Sequence, residues 1–363
     1  MEGVGPTVAS DEQEGWGVGV EIENSILVRT SYGLICTVGI IGNLLVCLVM
    51  LRVPSLRSNT SDFLVHLAIV DFMTCLWAVL FHLFTYTPSP SGGWGGEIRC
   101  RMFDSKFPLW TSMLVSVFNL AVVNLQRYVA IVHPHKYKTL FQPRNKYLIL
   151  LGCWCLALLC NWYYFIIYDV FDGTTACLFV GWGNFALQAV AGVYIFTAYL
   201  LAPLSIMVIT QWRVISSLNQ QVKQLKEKRQ RSDGGQEVNH AKERQMWQLR
   251  TSKELQKTLL VVIIAYVVCW TPTNVVYFAF NLGAPVNFAA PYFHFCAILS
   301  ISNSCINPII YTMKNRSFRK GIKQLFWCSC GAGGDQIQPQ GTDSLKIVDV
   351  IEVAGETEVT HTT

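Results

Sequence analysis

The sequence predicts an all-α fold, a bundle of seven membrane-spanning helices followed by a short cytoplasmic amphipathic eighth helix. The first observation is composition, because only 14% of the 363 residues are charged and 52% are hydrophobic, whereas soluble domains carry roughly 25% charged residues. The second is length, because seven apolar segments each approach the ~20 residues that cross hydrocarbon. The segments cover residues 26–51, 63–84, 107–125, 147–167, 185–212, 258–280 and 286–312. Lipid cannot satisfy backbone polar groups, so we expect helices rather than open strands.

The distribution of Lys and Arg predicts the orientation of the bundle. Residues 1–24 contain acidic side chains but no Lys or Arg, whereas the first, third and fifth connections and the stretch after the seventh segment carry most of the basic residues. By the positive-inside rule, this predicts a multi-pass membrane protein with an extracellular N-terminus and a cytoplasmic C-terminus. We expect an extracellular tail at 1–24, a helical domain at 25–330 and a disordered cytoplasmic tail at 331–363. The basic balance then reflects membrane topology and does not indicate a nucleic-acid partner.

Two pairs of cysteines lie outside the apolar segments. Cys100 and Cys177 fall on the outer side, where an oxidising exterior permits a disulfide. Cys328 and Cys330 follow residues 314–327, whose apolar side chains recur at helical spacing between basic ones, as in a helix that lies on membrane lipid. Juxtamembrane cysteines in that position are candidates for palmitoylation. A metal site there is less favoured because two ligands are too few.

The long fifth connection predicts two cytoplasmic extensions. It is polar, and residues 231–235 form a break between two helix-forming arms. We therefore expect helices five and six to continue beyond the membrane on either side of that break.

One acid lies inside an otherwise apolar segment. Asp71 falls within residues 63–84, and a carboxylate at bilayer depth costs roughly 2.5–3.5 kcal/mol on insertion scales. Such a residue indicates a polar cavity with a functional role, although a hydrogen bond between two helices would also account for it.

Seven motifs then occur in order, one on each segment. They are Gly42-Asn43-Leu44-Leu45-Val46, Leu67-Ala68-Ile69-Val70-Asp71, Gln126-Arg127-Tyr128, Trp154, Pro203, Cys269-Trp270-Thr271-Pro272 and Asn307-Pro308-Ile309-Ile310-Tyr311. With them the chain resembles the rhodopsin-like (class A) G-protein-coupled receptors over roughly Ser25–Cys330. The resemblance implies a receptor, not an enzyme, which binds an extracellular ligand and activates a heterotrimeric G protein, with arrestin as a further partner.

The resemblance also assigns roles within the bundle. Asp71, Ser116, Asn303 and Asn307 match the residues that bind an allosteric sodium ion in this family, and such oxygen donors suit a hard cation. The alternative is a polar cluster filled with water. No covalent cofactor is implied. Prolines kink membrane helices, and the switch residues implied by the resemblance are Trp270, Pro272, Asn307, Pro308 and Tyr311.

Several positions depart from the family pattern. Arg127 matches the arginine that contacts the G protein, but Gln126 replaces the acid before it. We therefore hypothesise raised basal activity, with Glu254 as a substitute partner for Arg127. Gln211 replaces a common tyrosine and Tyr266 a common phenylalanine. Two other features complete the set: Tyr128 follows Arg127 as in the family, and Cys100 is two residues farther from Arg127 than usual, which predicts a bulge before helix three.

The ligand class follows from which residues the outer half contains. No lysine lies in residues 286–312, which argues against a retinal protein, and no acid lies in residues 107–125, which argues against an amine receptor. Aromatic and polar groups suit a peptide. The amino-acid sequence of helix seven also resembles that of neuropeptide receptors. The candidate ligand-binding residues are Leu109, Trp110, Trp270, Tyr277, Asn281, Tyr292 and His294.

Three other interpretations remain open at this point. Aromatic residues concentrate at the membrane interface of any membrane protein, so a lipid or small metabolite stays an alternative ligand. A constitutively active receptor without a ligand is the second alternative. A seven-helix transporter or channel is the least favoured, because buried charges along a pore are nearly absent from the sequence.

Overall fold

The computed structural model of the chain describes residues 25–56, 61–84, 93–170, 177–230, 236–288, 290–314 and 316–330. Seven of the described helices are long and apolar enough to cross a membrane, which confirms the predicted bundle. We name them helix one to helix seven in chain order: Ile26–Arg52, Ser61–Leu83, Phe107–Val132, Pro143–Asn161, residues 185–230, Gln236–Asn281 and Pro291–Lys314. Helix eight, Arg316–Cys330, follows and confirms the predicted amphipathic helix. The predicted tails at 1–24 and 331–363 lie outside the described residues.

Helix three is the central element of the bundle. In its most apolar stretch 72% of the residues are buried, more than in any of the other six spans. The main core cluster contains side chains from all seven helices, among them Met113 of helix three, Trp270 of helix six and Ile301 of helix seven. Because lipid is as apolar as these side chains, close packing rather than water exclusion holds the helices together.

Helix one approaches its neighbours through two glycines. A Cβ at Gly39 would lie 2.4 Å from the Sγ of Cys75 and 2.7 Å from the Sγ of Cys305. A Cβ at Gly42 would lie 2.9 Å from the Cβ of Pro308. Small residues at these positions therefore set the spacing of helix one from helices two and seven.

The chain before helix three contains the predicted bulge. Residues Cys100–Asp104 form a π-helical turn, and Lys106 adopts a left-handed conformation with φ of 58°. The π turn and the break in the helix at Ser105 and Lys106 lie between Cys100 and helix three, where the sequence is longer than the family spacing. The Cys100–Cys177 disulfide is present. It joins this turn to a hairpin in which β1, Tyr168–Val170, pairs antiparallel with β2, Cys177–Phe179.

The limits of several helices differ from the sequence predictions. Helix seven begins at Pro291 rather than at residue 286, because proline suits the first turn of a helix and the residues before it run as a loop. Helix four ends at Asn161, and a separate short helix, Tyr164–Ile167, follows. Helix five continues to Gln230 and helix six begins at Gln236, so both predicted extensions are confirmed, while the break at 231–235 lies outside the described residues.

Candidate functional site

The outer end of the bundle has an aromatic wall between helices three, six and seven. The ring of Tyr277 lies edge-on to Trp110 at 6.2 Å between centroids. The same ring lies 5.6 Å from Phe288 and 5.7 Å from Phe293. Pairs in this range contribute about 0.5–1.5 kcal/mol each beyond burial, so the wall is preorganised.

A second aromatic cluster lies under the hairpin. Tyr163 stacks on Tyr164 at 4.8 Å and tilts against Trp182 at 5.4 Å. Tyr164 also stacks on Tyr168 of β1 at 5.8 Å. Phe179 of β2 extends the cluster towards helix six, since its ring lies 6.2 Å from that of Phe280. The hairpin thus carries aromatic side chains across the outer end of the bundle.

The predicted ligand-binding residues do not all share one environment. Leu109 is 1% exposed within the main core. Asn281 packs on helix five, because a Cβ added to Gly192 would lie 2.5 Å from the Cβ of Asn281. Tyr292 is 47% exposed at the outer surface, and its hydroxyl accepts from the Asn287 N–H over 3.0 Å. His294 is buried beside Phe293, with 6.2 Å between their rings. Trp110 and Tyr277 therefore form the wall and His294 adjoins it through Phe293, whereas Leu109, Asn281 and Tyr292 lie in other surroundings.

The floor below this wall is formed around Trp270. This indole is 2% exposed, and its Nε1 has no hydrogen-bond partner within the described part of the chain. Its carbonyl accepts from the Asn274 amide over 2.9 Å. Pro272 follows two residues later inside helix six. A buried donor without a partner is costly, so the floor offers a ligand or a water molecule an unsatisfied group.

Charge is confined to the rim of this site. The outer halves of helices two to seven contain no Asp, Glu, Lys or Arg. At the rim, Arg101 contacts Glu97 at 3.2 Å and Asp169 at 3.1 Å. The hydrogen bond from Arg101 holds the pKa of the Asp169 carboxyl below its usual range, whereas burial raises the pKa of Asp104. The deep wall is therefore neutral, and ion pairs order the loop above it.

The centre of the bundle contains the predicted polar cluster. Asp71 is fully buried, at 0% exposure. The Ser116 hydroxyl donates to Asp71 Oδ1 over 2.7 Å, and the Asn307 amide donates to Asp71 Oδ2 over 2.9 Å. Asn303 is also buried, at 3% exposure, but it forms no hydrogen bond with the carboxylate. Three of the four predicted residues are thus in direct contact.

These residues fit a sodium ion by their chemistry. One carboxylate, one hydroxyl and two amide oxygens are hard donors of the kind that alkali and alkaline-earth cations take. Both amide-bearing residues, Asn303 and Asn307, are 3% exposed, so water competes little for the site. The Asn307 N–H group now contacts the carboxylate that a cation would bind.

The C-terminal turns of helix three carry the Gln126-Arg127-Tyr128 motif. The Gln126 amide donates to the Tyr137 hydroxyl over 3.3 Å, and the Tyr128 hydroxyl lies 3.1 Å from Nε2 of His133. Arg127 is half-buried and has neither a hydrogen-bond nor an ion-pair partner among the described residues. Glu254 as its substitute partner is wrong, because that carboxylate is 70% exposed and pairs with Lys257 at 2.7 Å.

Helices five and six are joined by a hydrogen bond from a side chain to a backbone carbonyl. The Gln211 amide donates to the Gln256 carbonyl over 2.8 Å. Both side chains are buried, at 4% and 2% exposure. Gln211 therefore links helix five to helix six directly in the structure.

Helix seven carries the remaining switch residues. Pro308 packs on helix one at Gly42, and Asn43 donates to the Ser304 carbonyl over 2.9 Å. Tyr311 is buried, with its ring 6.4 Å from that of Phe318 on helix eight. Helix eight is thereby held against the lower end of helix seven. Its last turn includes Cys328 and Cys330.

Sequence reasoning missed several residues of the outer site. Phe107, Phe179, Phe288 and Phe293 all contact the aromatic clusters. For Phe179 a signal existed, because it follows the disulfide cysteine Cys177 by two residues and must lie near the top of helix three. For Phe288 no signal existed, since the apolar composition of residues 286–312 predicts that it belongs to helix seven.

Comparison with known proteins identifies the family. A family model described as "7 transmembrane receptor (rhodopsin family)" matches residues 42–311. Galanin receptor 2b of Danio rerio is 28% identical over 93% of this chain and 84% of its own length. Galanin receptor type 1 of Rattus norvegicus is 30% identical over 90% of this chain and 88% of its own. Somatostatin receptor type 4 of Rattus norvegicus is 28% identical over 93% of this chain and 84% of its own.

The chain therefore belongs to the rhodopsin family of seven-transmembrane receptors. It is a multi-pass membrane protein and a G-protein-coupled receptor, whose partners are an extracellular ligand and a heterotrimeric G protein.

Proposed function

We propose that this receptor binds a neuropeptide at the aromatic wall and the hairpin, and that binding promotes nucleotide exchange on the G protein. The observation that carries the proposal is the combination of a neutral aromatic interior with a charged rim. The similarity to galanin and somatostatin receptors supports the same class of ligand. A peptide can place an apolar, uncharged segment between Trp110 and Tyr277 and leave its charged groups at Arg101 and Asp169.

The ligand can signal only through a difference in affinity between two states of the bundle. Trp270 lies between the wall and Pro272, so a ligand that contacts this indole acts on the kink of helix six. Arg127, half-buried and without an ion-pair partner in the described residues, is poised to contact the G protein when the cytoplasmic end opens. Arrestin is a further proposed partner of that end.

The membrane setting is part of the proposal. The oxidising compartment that a Cys100–Cys177 disulfide needs supports an extracellular location of that end, and with it an extracellular N-terminus and a cytoplasmic C-terminus at the plasma membrane. We also propose palmitoylation of Cys328 and Cys330, which would add two acyl anchors to helix eight.

Asp71, Ser116, Asn303 and Asn307 would hold the allosteric sodium ion. Such an ion would supply positive charge to the buried Asp71 carboxylate, which contacts no Lys or Arg among the described residues. The residues themselves keep helices two, three and seven together at this level, through the two hydrogen bonds to Asp71.

A cellular screen tests the proposed function. Second-messenger output is measured from cells that express the chain, with galanin, somatostatin and a library of synthetic neuropeptides as probes. We expect a saturable, dose-dependent response to at least one peptide, and no such response from Arg127→Ala at equal surface density. A response only to lipid or metabolite probes, or high output that no peptide changes, would contradict the peptide proposal while leaving the receptor class intact.

A further inference from the structure

Helix five changes its hydrogen bonding where it faces helix six. Residues Thr197–Leu201 form a π-helical turn between two α-helical segments. Pro203 follows and has no N–H group, so it cannot make the α-helical bond to the carbonyl four residues earlier, that of Tyr199. The local sequence thus deprives one backbone carbonyl in the apolar core of its α-helical donor.

A side chain of helix six donates to this carbonyl. The Tyr266 hydroxyl donates to the Tyr199 carbonyl oxygen over 2.6 Å, and Tyr266 is fully buried, at 0% exposure. Its ring lies 6.1 Å from the ring of Trp270. Within an environment that excludes water, loss of such a donor leaves the carbonyl poorly satisfied.

Tyr199 is itself fixed to a third helix. Its hydroxyl donates to Asn161 Oδ1 at the end of helix four, and the Asn161 amide donates to the Ala157 carbonyl over 2.9 Å. The carbonyl that Tyr266 contacts therefore belongs to a residue that is held in place by helix four. The bond from Tyr266 joins helix six to a rigid partner.

The position of Tyr266 along helix six means that this bond can restrain the movement of the helix. Tyr266 precedes Pro272 and lies on the cytoplasmic side of that kink, on the segment that must move if the kink opens. The same segment is packed inward, since Leu259 shares a buried cluster with Val123 and Val129 of helix three. The hydrogen bond is therefore made in an arrangement that is closed towards the G protein.

We propose that Tyr266 is a positioning residue that holds helix six closed through its hydroxyl and thereby limits basal nucleotide exchange. The phenylalanine that the family resemblance implies as common at this position has the ring but no donor, so it could not form this bond. The proposal depends on the receptor class and not on the identity of the ligand, so a failed peptide screen would leave it testable.

The substitution Tyr266→Phe removes the hydroxyl and keeps the ring. Exchange is measured without ligand, as binding of a non-hydrolysable GTP analogue to a panel of heterotrimers, per receptor at the cell surface. We expect basal exchange to rise about 3- to 10-fold, the range that corresponds to one buried hydrogen bond. Tyr194→Phe is the matched control, because the Tyr194 hydroxyl donates to the Cys160 carbonyl over 3.4 Å but does not involve helix six. We expect no change from it.

A second variant tests whether the carbonyl is the cause. Pro203→Ala returns an N–H group that can compete for the Tyr199 carbonyl. Tyr266→Phe should then increase exchange less in the Pro203→Ala background than in the parent chain. Equal increments in both backgrounds would contradict the proposal.

Other results would also overturn it. Equal or lower exchange from Tyr266→Phe at matched surface density, including no exchange from either chain, would show that the hydroxyl does not restrain helix six. Complete loss of the variant from the cell surface would assign the hydroxyl to folding and reject the positioning role.

Discussion

The side-chain amide of Asn307 donates to Asp71 Oδ2 over 2.9 Å and joins helix seven to helix two at the centre of the bundle. Ser116 donates to the other carboxylate oxygen over 2.7 Å, so one acid connects three helices. A change in the charge or the partners of Asp71 must therefore alter the packing of all three.

The first prediction concerns sodium at this carboxylate. We expect sodium chloride to raise the thermal unfolding temperature of the purified receptor above its value in an equal concentration of N-methylglucamine chloride. A concentration about tenfold above Kd corresponds to about 1.4 kcal/mol of stabilisation. Asp71→Asn should abolish this difference, because the amide carries no charge. Glu254→Gln, at an exposed acid, is the control and should keep it. Sodium sensitivity that survives in Asp71→Asn would reject the assignment.

The second prediction concerns the approach of helix one. Gly39→Ala should destabilise the protein by roughly 1–3 kcal/mol, because the new methyl would overlap two sulfur atoms and force the helices apart. Gly152→Ala is a matched control in helix four, where nothing lies within 4 Å of an added Cβ. It should be neutral or slightly stabilising. Thermal unfolding followed with a thiol-reactive dye measures both, and equal effects would show that the close packing at Gly39 does not limit stability.

The third prediction concerns the aromatic wall. Trp110→Ala should raise the EC50 of a peptide agonist at least about fivefold, since a truncated aromatic anchor costs more than about 1 kcal/mol at a binding site. Trp162→Ala removes an indole that is 56% exposed outside the wall and should leave the EC50 unchanged. Surface density is measured for both variants. A parallel loss of potency in both would mean that the effect comes from the fold rather than from ligand contact.

The fourth prediction concerns Gln126. Gln126→Asp places a carboxylate beside Arg127, which has no ion-pair partner in the described residues, so the resting state should be stabilised. We expect basal second-messenger output to fall roughly two- to fivefold, because Arg127 is half-buried and an ion pair with such a group contributes about 0.4–1 kcal/mol. Gln126→Asn shortens the side chain equally but adds no charge. Output from Gln126→Asp that equals that of the parent chain would reject raised basal activity as a consequence of Gln126.

Composition was sufficient to predict the seven helices and their order, because membrane spans depend on length and apolarity alone. The disulfide was predictable because Cys100 and Cys177 both fall on the outer side. The bulge before helix three was also predictable, since the spacing from Cys100 to Arg127 exceeds that of the family. The direction in which a side chain projects from its helix was not predictable from these patterns. Asn281 packs on Gly192 of helix five, and Glu254 points to solvent.

The other features that the sequence did not predict are loop boundaries and hydrogen bonds to backbone carbonyls. Pro291 sets the start of helix seven, which apolar composition alone placed too early. The Gln211 and Tyr266 bonds both end on backbone carbonyls of another helix. Such an acceptor exists at every residue, so no sequence pattern distinguishes the one that is used.

We propose that an extracellular peptide drives nucleotide exchange through this bundle. The most direct measurement is exchange by a purified heterotrimer mixed with the full-length receptor in lipid nanodiscs, with and without an active peptide from the screen. We predict a saturable, peptide-dependent increase that Arg127→Ala abolishes while peptide binding persists. An exchange rate that the bound peptide does not change, or an increase that Arg127→Ala retains in full, would contradict the account.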